Sequence, residues 1–537
     1  MTVADLGSRL WVNEVQLVLG DGRRILGPVS IGCAPGSLTA VLGPSGSGKS
    51  TLLRTMGGLL EPSGGSVRLG EEPAAHQVET LGYVPQRETV HQRLTVEEAL
   101  RYAAQLRLEA GSGVGEIVER VLDELDLGPQ RHTWIRNLSG GERRRTACGL
   151  ELVGDPAVLL LDEPTSGLDP VLERRLMLMF RRLADGGRAV VVATHTSSSL
   201  DLCDAVLVLA PDGTVAFSGD PAAARGHLEQ SVRAGEAKLA EHHESRAADT
   251  ARAPRPRSGA RRRRRFGLEF RTLLARNART MLRDRRTLAA LLGQAPLIGL
   301  LIAIPFASVS LSGSNAAPAD LSQVVFLLMT ASIWLGVTAA AREVVKERGI
   351  LEREFDVGLR LDAYVLAKAA VLFVLSAAQV LLVMLVVVAL RLGSQSPAAI
   401  LQLFGLAVAV AWTSVALGLA VSATARSVDQ ATGVVPLMLI PQLLFAGALI
   451  PLARMPPAVE ALAELSYGRW AFAGMGSAAG LQGQFQAGGD AANALGLDPT
   501  FFALTPGAAA IVLAAFTLFW LFCAAAMLNR RVAPEGG

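Results

Sequence analysis

Cysteine is scarce in this chain. Its four cysteines, Cys33, Cys148, Cys203 and Cys523, lie far apart among 537 residues and form no Cys-x-x-Cys or Cys/His spacing. That pattern argues against a disulfide framework and against a cysteine-based metal site. Charged residues are few as well, 18% of the chain, where an average soluble domain has ~25%. No cleavable signal peptide is expected, because the N-terminus runs at once into charged, strand-like sequence. The composition also excludes a disordered, collagenous or secreted disulfide-rich chain.

What is present is apolar. Half of the residues are hydrophobic, 54 more are glycine, and the mean hydropathy is +0.37. This is too apolar for a soluble multidomain enzyme and too low for a chain that is membrane throughout. A soluble half joined to a membrane half averages to such a value. The length allows three or four units at roughly 150 residues each.

The net charge of +3 is unevenly spread. Between Arg252 and Arg286 stand 14 arginines and two acids, Glu269 and Asp284. Such a segment just before apolar sequence points to an anionic membrane surface rather than nucleic acid. A solvated basic linker is the other reading.

Residues 1–220 read as a soluble α/β unit. Short apolar runs at Leu38–Leu42, Ala157–Leu161, Ala189–Ala193 and Ala205–Leu209 alternate with longer helical patterns, as a parallel sheet requires. Residues 221–265 form a polar linker, first helix-prone and then rich in Pro, Ser and Arg, ending in Arg261–Arg265. Over 266–286 apolar residues at helical spacing (Phe266, Phe270, Leu273, Leu274, Met281) oppose arginines, the pattern of an interfacial amphipathic helix.

Residues 287–537 change solvent. Uncharged stretches run Thr287–Ala319, Leu321–Ala341, Ala369–Leu390, Leu392–Ala425, Gln430–Ala453 and Pro499–Asn529. Each holds the ~20 residues that cross a bilayer core, so six transmembrane helices are expected. The connection after the second span carries Arg342, Lys346, Arg348, Arg353, Arg360 and Lys368; the three opposite connections share Arg391, Arg454 and Arg469. This bias places the soluble unit and both termini in the cytoplasm of a multi-pass plasma-membrane protein.

The chemistry sits in the first half. Gly43-Pro-Ser-Gly-Ser-Gly-Lys-Ser50 follows an apolar strand and precedes the helical pattern Thr51–Leu60, which is the context of a P-loop. Backbone N–H groups around Gly43, Ser45, Gly46, Gly48 and Thr51 are expected to surround the phosphates of ATP. Lys49 would meet the β/γ oxygens and Ser50 would ligate Mg²⁺. Val158-Leu-Leu-Leu-Asp-Glu163 is a buried strand ending in two acids. Asp162 is placed to hold Mg²⁺ through water, and Glu163 to polarise the attacking water.

Leu138-Ser-Gly-Gly-Glu-Arg-Arg-Arg145 resembles the signature loop of ATP-binding cassette (ABC) transporters. Gly82-Tyr-Val-Pro-Gln86 resembles the Q-loop of that family, Ser166-Gly-Leu-Asp169 the D-loop, and Ala193-Thr-His195 the switch histidine. Cassette before membrane domain, together with Leu94-Thr-Val-Glu-Glu-Ala-Leu100 and Asp162-Glu-Pro-Thr-Ser-Gly-Leu-Asp169, looks like the G (White) subfamily of half-transporters. The second half is similar to the ABC-2 exporter domain. Glu347-Arg-Gly-Ile-Leu-Glu-Arg-Glu354 with Tyr364-Val-Leu-Ala-Lys368 matches its cytoplasmic coupling loop, and Leu465-Ser-Tyr-Gly-Arg-Trp470 the segment before its last span. The expected fold is thus an α/β cassette of the P-loop NTPase class followed by an all-α polytopic membrane domain.

The resemblance implies that Gln86 and His195 assist hydrolysis, with Gln86 also a Mg²⁺ ligand. It implies too that Ser139, Gly140, Gly141 and Asp169 bind nucleotide across a dimer. One P-loop and one signature per chain call for a second half-transporter, an identical copy being the simplest. The expected activity is ATP-driven export of a lipophilic or amphipathic substrate, a small molecule or lipid; a non-transporting ATPase that gates a membrane partner is the alternative. The subfamily's path between spans 2 and 5 would fall at Leu328, Ser332 and Leu335 and at Ile440 and Leu443, for which ordinary helix packing is the competing reading. Two departures stand out: no aromatic near Val18–Gly20 to stack adenine, and Thr196-Ser197 where the subfamily has Gln-Pro.

Overall fold

The computed structural model describes residues 9–86, 89–108, 112–233, 266–309, 311, 318–487 and 498–532. The expectations for Arg252–Arg265 therefore lie outside the described residues. Two compact units result: one holds the chain up to Thr272 together with Gly349–Arg360, the other Leu273–Arg348 and Leu361–Val532.

The first unit contains two sheets. Strands β1 (Leu10–Val18), β2 (Arg24–Cys33), β4 (Gly64–Leu69) and β5 (Glu72–Pro73) form an antiparallel sheet in the order β2-β1-β4-β5. Strands β3 (Leu38–Leu42), β6 (Leu81–Val84), β7 (Val158–Asp162), β8 (Ala189–Thr194), β9 (Ala205–Leu209) and β10 (Val215–Gly219) form the second, ordered β10-β9-β3-β8-β7-β6. All its pairings are parallel except that of β10 with β9. Every residue of β3, β7 and β8 is buried, because helices cover both faces of a parallel sheet. Leu38, Ala40 and Leu42 pack on one side with Phe180 and Leu183, and Val41 on the other with Leu52, Leu53 and Met56.

The second unit is helical. Among the described residues five helices are long and apolar enough to cross a membrane: Arg285–Phe306, Pro318–Asp356, Leu361–Leu392, Pro397–Thr424 and Pro506–Arg531. The expected span at Gln430–Ala453 appears as a shorter apolar helix, Val428–Leu444, containing Pro436 and Pro441. The third long helix starts at Leu361 rather than Ala369, so it carries a buried lysine. Lys368 tolerates that position because Glu347 lies 2.6 Å and Glu343 3.2 Å from its Nζ.

The amphipathic segment differs from expectation in two ways. Its helix is Phe266–Arg283, because the Asp284 carboxylate accepts from the Thr287 N–H and caps the next helix, which takes Arg285 and Arg286. Its buried side holds Leu273 together with the polar Glu269, Thr272, Arg276 and Asn277, with Phe270, Leu274 and Met281 half-buried; Arg271 and Arg279 are exposed, and so are Phe266, Leu268 and Leu282.

Small residues allow close helix contacts. A Cβ added to Gly336 would lie 2.3 Å from the Ala411 carbonyl oxygen and 2.7 Å from Ser414 Cβ. Close approach of this kind replaces the hydrophobic driving force that lipid removes. Gly336→Leu is therefore expected to cost about 1–3 kcal/mol through overpacking. Thermal unfolding of the purified protein in detergent checks this, with Gly405→Ala as control, since a Cβ there would meet nothing within 4 Å. Equal melting of both variants would contradict the close packing.

Candidate nucleotide site

The site is assembled at one end of the parallel sheet. Leu42 is level with Thr194 across β3 and β8, and Asp162 with Ala193 across β7 and β8. The residues that follow these strand ends therefore emerge side by side.

After β3 the chain turns through Gly43, Gly46 and Gly48, all with positive φ. At Gly48, a Cβ would also lie 2.7 Å from Leu26 Cδ2, so the turn needs glycine twice over, for its backbone and for space. Helix Lys49–Met56 begins at once. Lys49 is buried, and its ammonium donates to the carbonyls of Gly43 (2.8 Å) and Pro44 (3.0 Å). Ser45 and Gly46 are exposed, and Thr51 is buried in the first helical turn.

The acidic strand end faces this loop. Ser50 Oγ donates to Asp162 Oδ1 over 3.0 Å, and Lys49 Nζ stands 3.4 Å from Glu163 Oε1. Gln86 Nε2 donates to Glu163 Oε2 over 2.9 Å, and His195 Nδ1 lies 3.9 Å from the same oxygen. Glu163 has φ of 46° while its N–H donates to the Ala193 carbonyl. Of the expected catalytic and metal-binding residues, the structure thus gathers Lys49, Ser50, Gln86, Asp162, Glu163 and His195 at one place.

The signature residues stand apart. Ser139 caps helix Gly140–Leu152 with a reciprocal pair of bonds, Glu142 N–H to Ser139 Oγ and Ser139 N–H to Glu142 Oε2. The Ser139 backbone N–H holds the Glu142 carboxyl below its ordinary range. Among the described residues no hydrogen bond or ion pair joins Ser139, Gly140 or Gly141 to the P-loop. Asp169 likewise caps its own helix, accepting from the N–H groups of Val171 and Leu172. All four except Gly141 are exposed.

Sequence reasoning missed three groups. Tyr83 donates its hydroxyl to Asp162 Oδ2 at 3.2 Å, and Arg144 Nη1 donates to the Gln86 carbonyl at 2.6 Å. Thr196 and Ser198 both donate to Glu173 Oε1, at 2.7 and 2.6 Å. The third pair occupies the segment where the chain departs from the subfamily's Gln-Pro. Tyr83, Arg144 and Thr196 stand inside segments that the sequence marks (the Q-loop, the signature and the departure after His195), whereas Ser198 and Glu173 carry no such signal.

The proposed path residues divide. Leu328, Ser332 and Leu335 are buried in the helical core, and Ser332 Oγ back-bonds to the Leu328 carbonyl. Ile440 is exposed and Leu443 half-buried.

Burial, opposed by hydrogen bonds from Ser50 and Tyr83, raises the Asp162 carboxyl above its ordinary pKa of 3.8. Burial first and the Asp162 charge second keep Tyr83 protonated, hence a donor. Tyr83→Phe removes one donor to the carboxylate and pushes Asp162 higher still. An acid whose folded pKa is raised costs stability above that pKa, and the cost is relieved as pH falls through it. The variant is expected to lose about 1–2 kcal/mol at neutral pH, with a smaller deficit in acid. Melting curves against pH check this; a deficit that did not change with pH would refute the link to Asp162.

Residues 26–166 match the ABC transporter family and residues 268–478 the ABC-2 type transporter family; residues 134–201 also match an AAA domain described as a putative AbiEii toxin of a type IV toxin–antitoxin system. The chain is 35% identical over 498 residues to the ABC transporter ATP-binding/permease protein Rv1747 of Mycobacterium tuberculosis, covering 86% of this chain and 56% of that protein. It is 42% identical over 210 residues to ABC transporter G family member 21 of Arabidopsis thaliana, which is 37% of this chain and 31% of the relative. Identity to the probable multidrug ABC transporter ATP-binding protein YbhF of Escherichia coli is 35%, over 38% of this chain and 36% of that one. The chain thus spans from about a third to just over half of these relatives' length. With the site geometry and both matches in the same order, the chain belongs to the ABC transporters, an ATP-binding cassette followed by a multi-pass ABC-2 type membrane domain.

Proposed function

We propose that this chain is the half-transporter of a dimeric, ATP-driven exporter in the plasma membrane, acting on a lipophilic or amphipathic substrate. The observation that carries the reading is the convergence of Lys49, Ser50, Asp162 and Glu163 within 3.4 Å contacts at adjoining strand ends. The loop fits phosphate: a Cβ at Gly46 would meet nothing, so its backbone faces open space. The hydroxyl of Ser50 and the carboxylate of Asp162 are hard oxygen donors that suit a magnesium ion. Such an ion, bound by Ser50, Asp162 and Gln86, would neutralise phosphate charge.

In this mechanism Lys49 leaves its two carbonyls for phosphate oxygens. Glu163, oriented by Gln86 and His195, draws a proton from the attacking water. Ser139, Gly140, Gly141 and Asp169 serve the site of a second copy, a reading supported by the absence of any hydrogen bond from them to this chain's P-loop among the described residues. Closure of the two cassettes acts on the membrane unit through the loop around Val345–Glu354. Arg353 of that loop, which belongs to the first unit, donates to the Thr89 carbonyl of the same unit.

Taking Val428–Leu444 as the fifth crossing gives six, with both ends cytoplasmic. Its 17 residues rise ~26 Å, close to the hydrocarbon thickness. Leu437, Ile440 and Leu444 form an exposed apolar stripe along it, and such a stripe suits a lipophilic substrate better than a polar one.

Glu163→Gln is expected to bind ATP yet lose turnover on the order of 10²–10⁴-fold. Lys49→Ala should weaken nucleotide binding itself, roughly tenfold or more. ATPase assays and equilibrium binding separate the two; a Glu163→Gln variant with near-normal turnover would overturn the base assignment. The dimer has its own test. A Lys49→Ala copy mixed with a Ser139→Arg copy, each inactive alone, forms one intact composite site, and ATPase activity should partly return. Silence in a verified mixed dimer would sink independent composite sites.

A further inference from the structure

A cleft of about 590 Å³ opens in the membrane unit between helices Arg285–Ala303, Pro318–Ala340 and Val428–Leu444. Its residues are sorted by depth. Arg286 and Arg342 stand at one end; Gln294 and Trp334 lie eight residues further along the first two helices, ~12 Å away by helical rise. Val435 and Pro436 form the facing wall.

Both guanidiniums are exposed, and neither belongs to an ion pair among the described residues. The nearest acid in sequence to Arg342, Glu343, is committed to Lys346 and Lys368. In the cleft wall, Gln294 holds its amide nitrogen out of solvent with no acceptor. Two unpaired cations, an unused donor and an apolar, aromatic slot behind them describe the complement of one molecule: an anion with a hydrocarbon tail.

We propose that this cleft binds an acidic glycerophospholipid of the cytoplasmic leaflet, with its phosphate between Arg286 and Arg342 and an acyl chain against Trp334, Val435 and Pro436. Forked guanidiniums match phosphate oxygens in geometry as well as charge. The positive-inside bias sets the arginine end at the leaflet where anionic lipids concentrate. Binding of this lipid does not require that it be the exported cargo, so the site stands or falls apart from the export reading.

The test uses the full chain without nucleotide. It is reconstituted in phosphatidylcholine vesicles containing a minor fraction of phosphatidylglycerol, with bromine on the acyl chains of one lipid or the other. Brominated phosphatidylglycerol should quench tryptophan fluorescence beyond its mole fraction. The excess should vanish in Trp334→Phe and in Arg286→Ala/Arg342→Ala, and survive in part in Arg286→Lys/Arg342→Lys. Native mass spectrometry of the detergent-extracted protein should find phosphatidylglycerol adducts reduced on the order of tenfold in the double alanine variant. Quenching that follows mole fraction alone, or equal adducts in wild type and variant, overturns the site. Loss of the effect on adding millimolar inorganic phosphate would assign the arginines to a soluble anion and overturn the lipid. A Trp334 that no brominated lipid reaches would mean that another protein surface covers the cleft, which overturns it too.

Discussion

Everything chemical in the first unit depends on the register of three parallel strands. β3, β8 and β7 end within one residue of each other, so a glycine loop, a histidine and two carboxylates emerge on one edge without any long side chain reaching across. A slip of one residue in β7 would turn the side chain of Asp162 to the opposite face. Full burial of all three strands leaves no exposed alternative pairing, so the hydrophobic pattern that fixes the fold also fixes the separation of Ser50 and Asp162. In this cassette, folding and positioning are one event.

The membrane unit is under another constraint, that backbone and side-chain polar groups find partners inside the protein. Ser332 and Ser414 bond back to carbonyls of their own helices, Ser414 also meets the Tyr467 hydroxyl at 2.9 Å, and Thr413 meets Thr517 at 2.9 Å. Gln379 donates to the Leu291 carbonyl across two helices. The charged version is Lys368, held between Glu343 and Glu347 where the second long helix gives way to the third. Such neutral clusters let polar atoms sit at depth without opening a path for water.

Local signals carried much of this. The strands at Leu38–Leu42 and Ala205–Leu209, the P-loop and the acidic strand end were legible because each is a contiguous apolar run or a fixed spacing. The antiparallel sheet of β1, β2, β4 and β5 was not, since its pairing joins residues as distant as Leu10 and Leu69 and nothing local announces register. Glu173 shows the same limit: a helical glutamate reads as solvent-facing until Thr196 and Ser198 are brought to it by the fold. The start of the third long helix was misplaced because counting charges treats a lysine as a boundary, whereas a neutralised lysine can be buried. In helix Phe266–Arg283 the periodicity was visible, but the polar groups that share the buried side with Leu273 were not, because only the fold brings partners to Glu269 and Arg276.

Glu163 keeps a left-handed backbone, φ 46°, immediately after a fully buried strand. A non-glycine residue in such a conformation costs about 1–3 kcal/mol, repaid by surrounding structure. Glycine would relieve the strain here, as it would at Glu14, Asp126 and Asp155, which share the conformation, but here the relaxed position is that of the carboxylate we propose as the base. On that proposed role, selection of this protein for heat resistance alone would drift toward a tougher and chemically silent cassette.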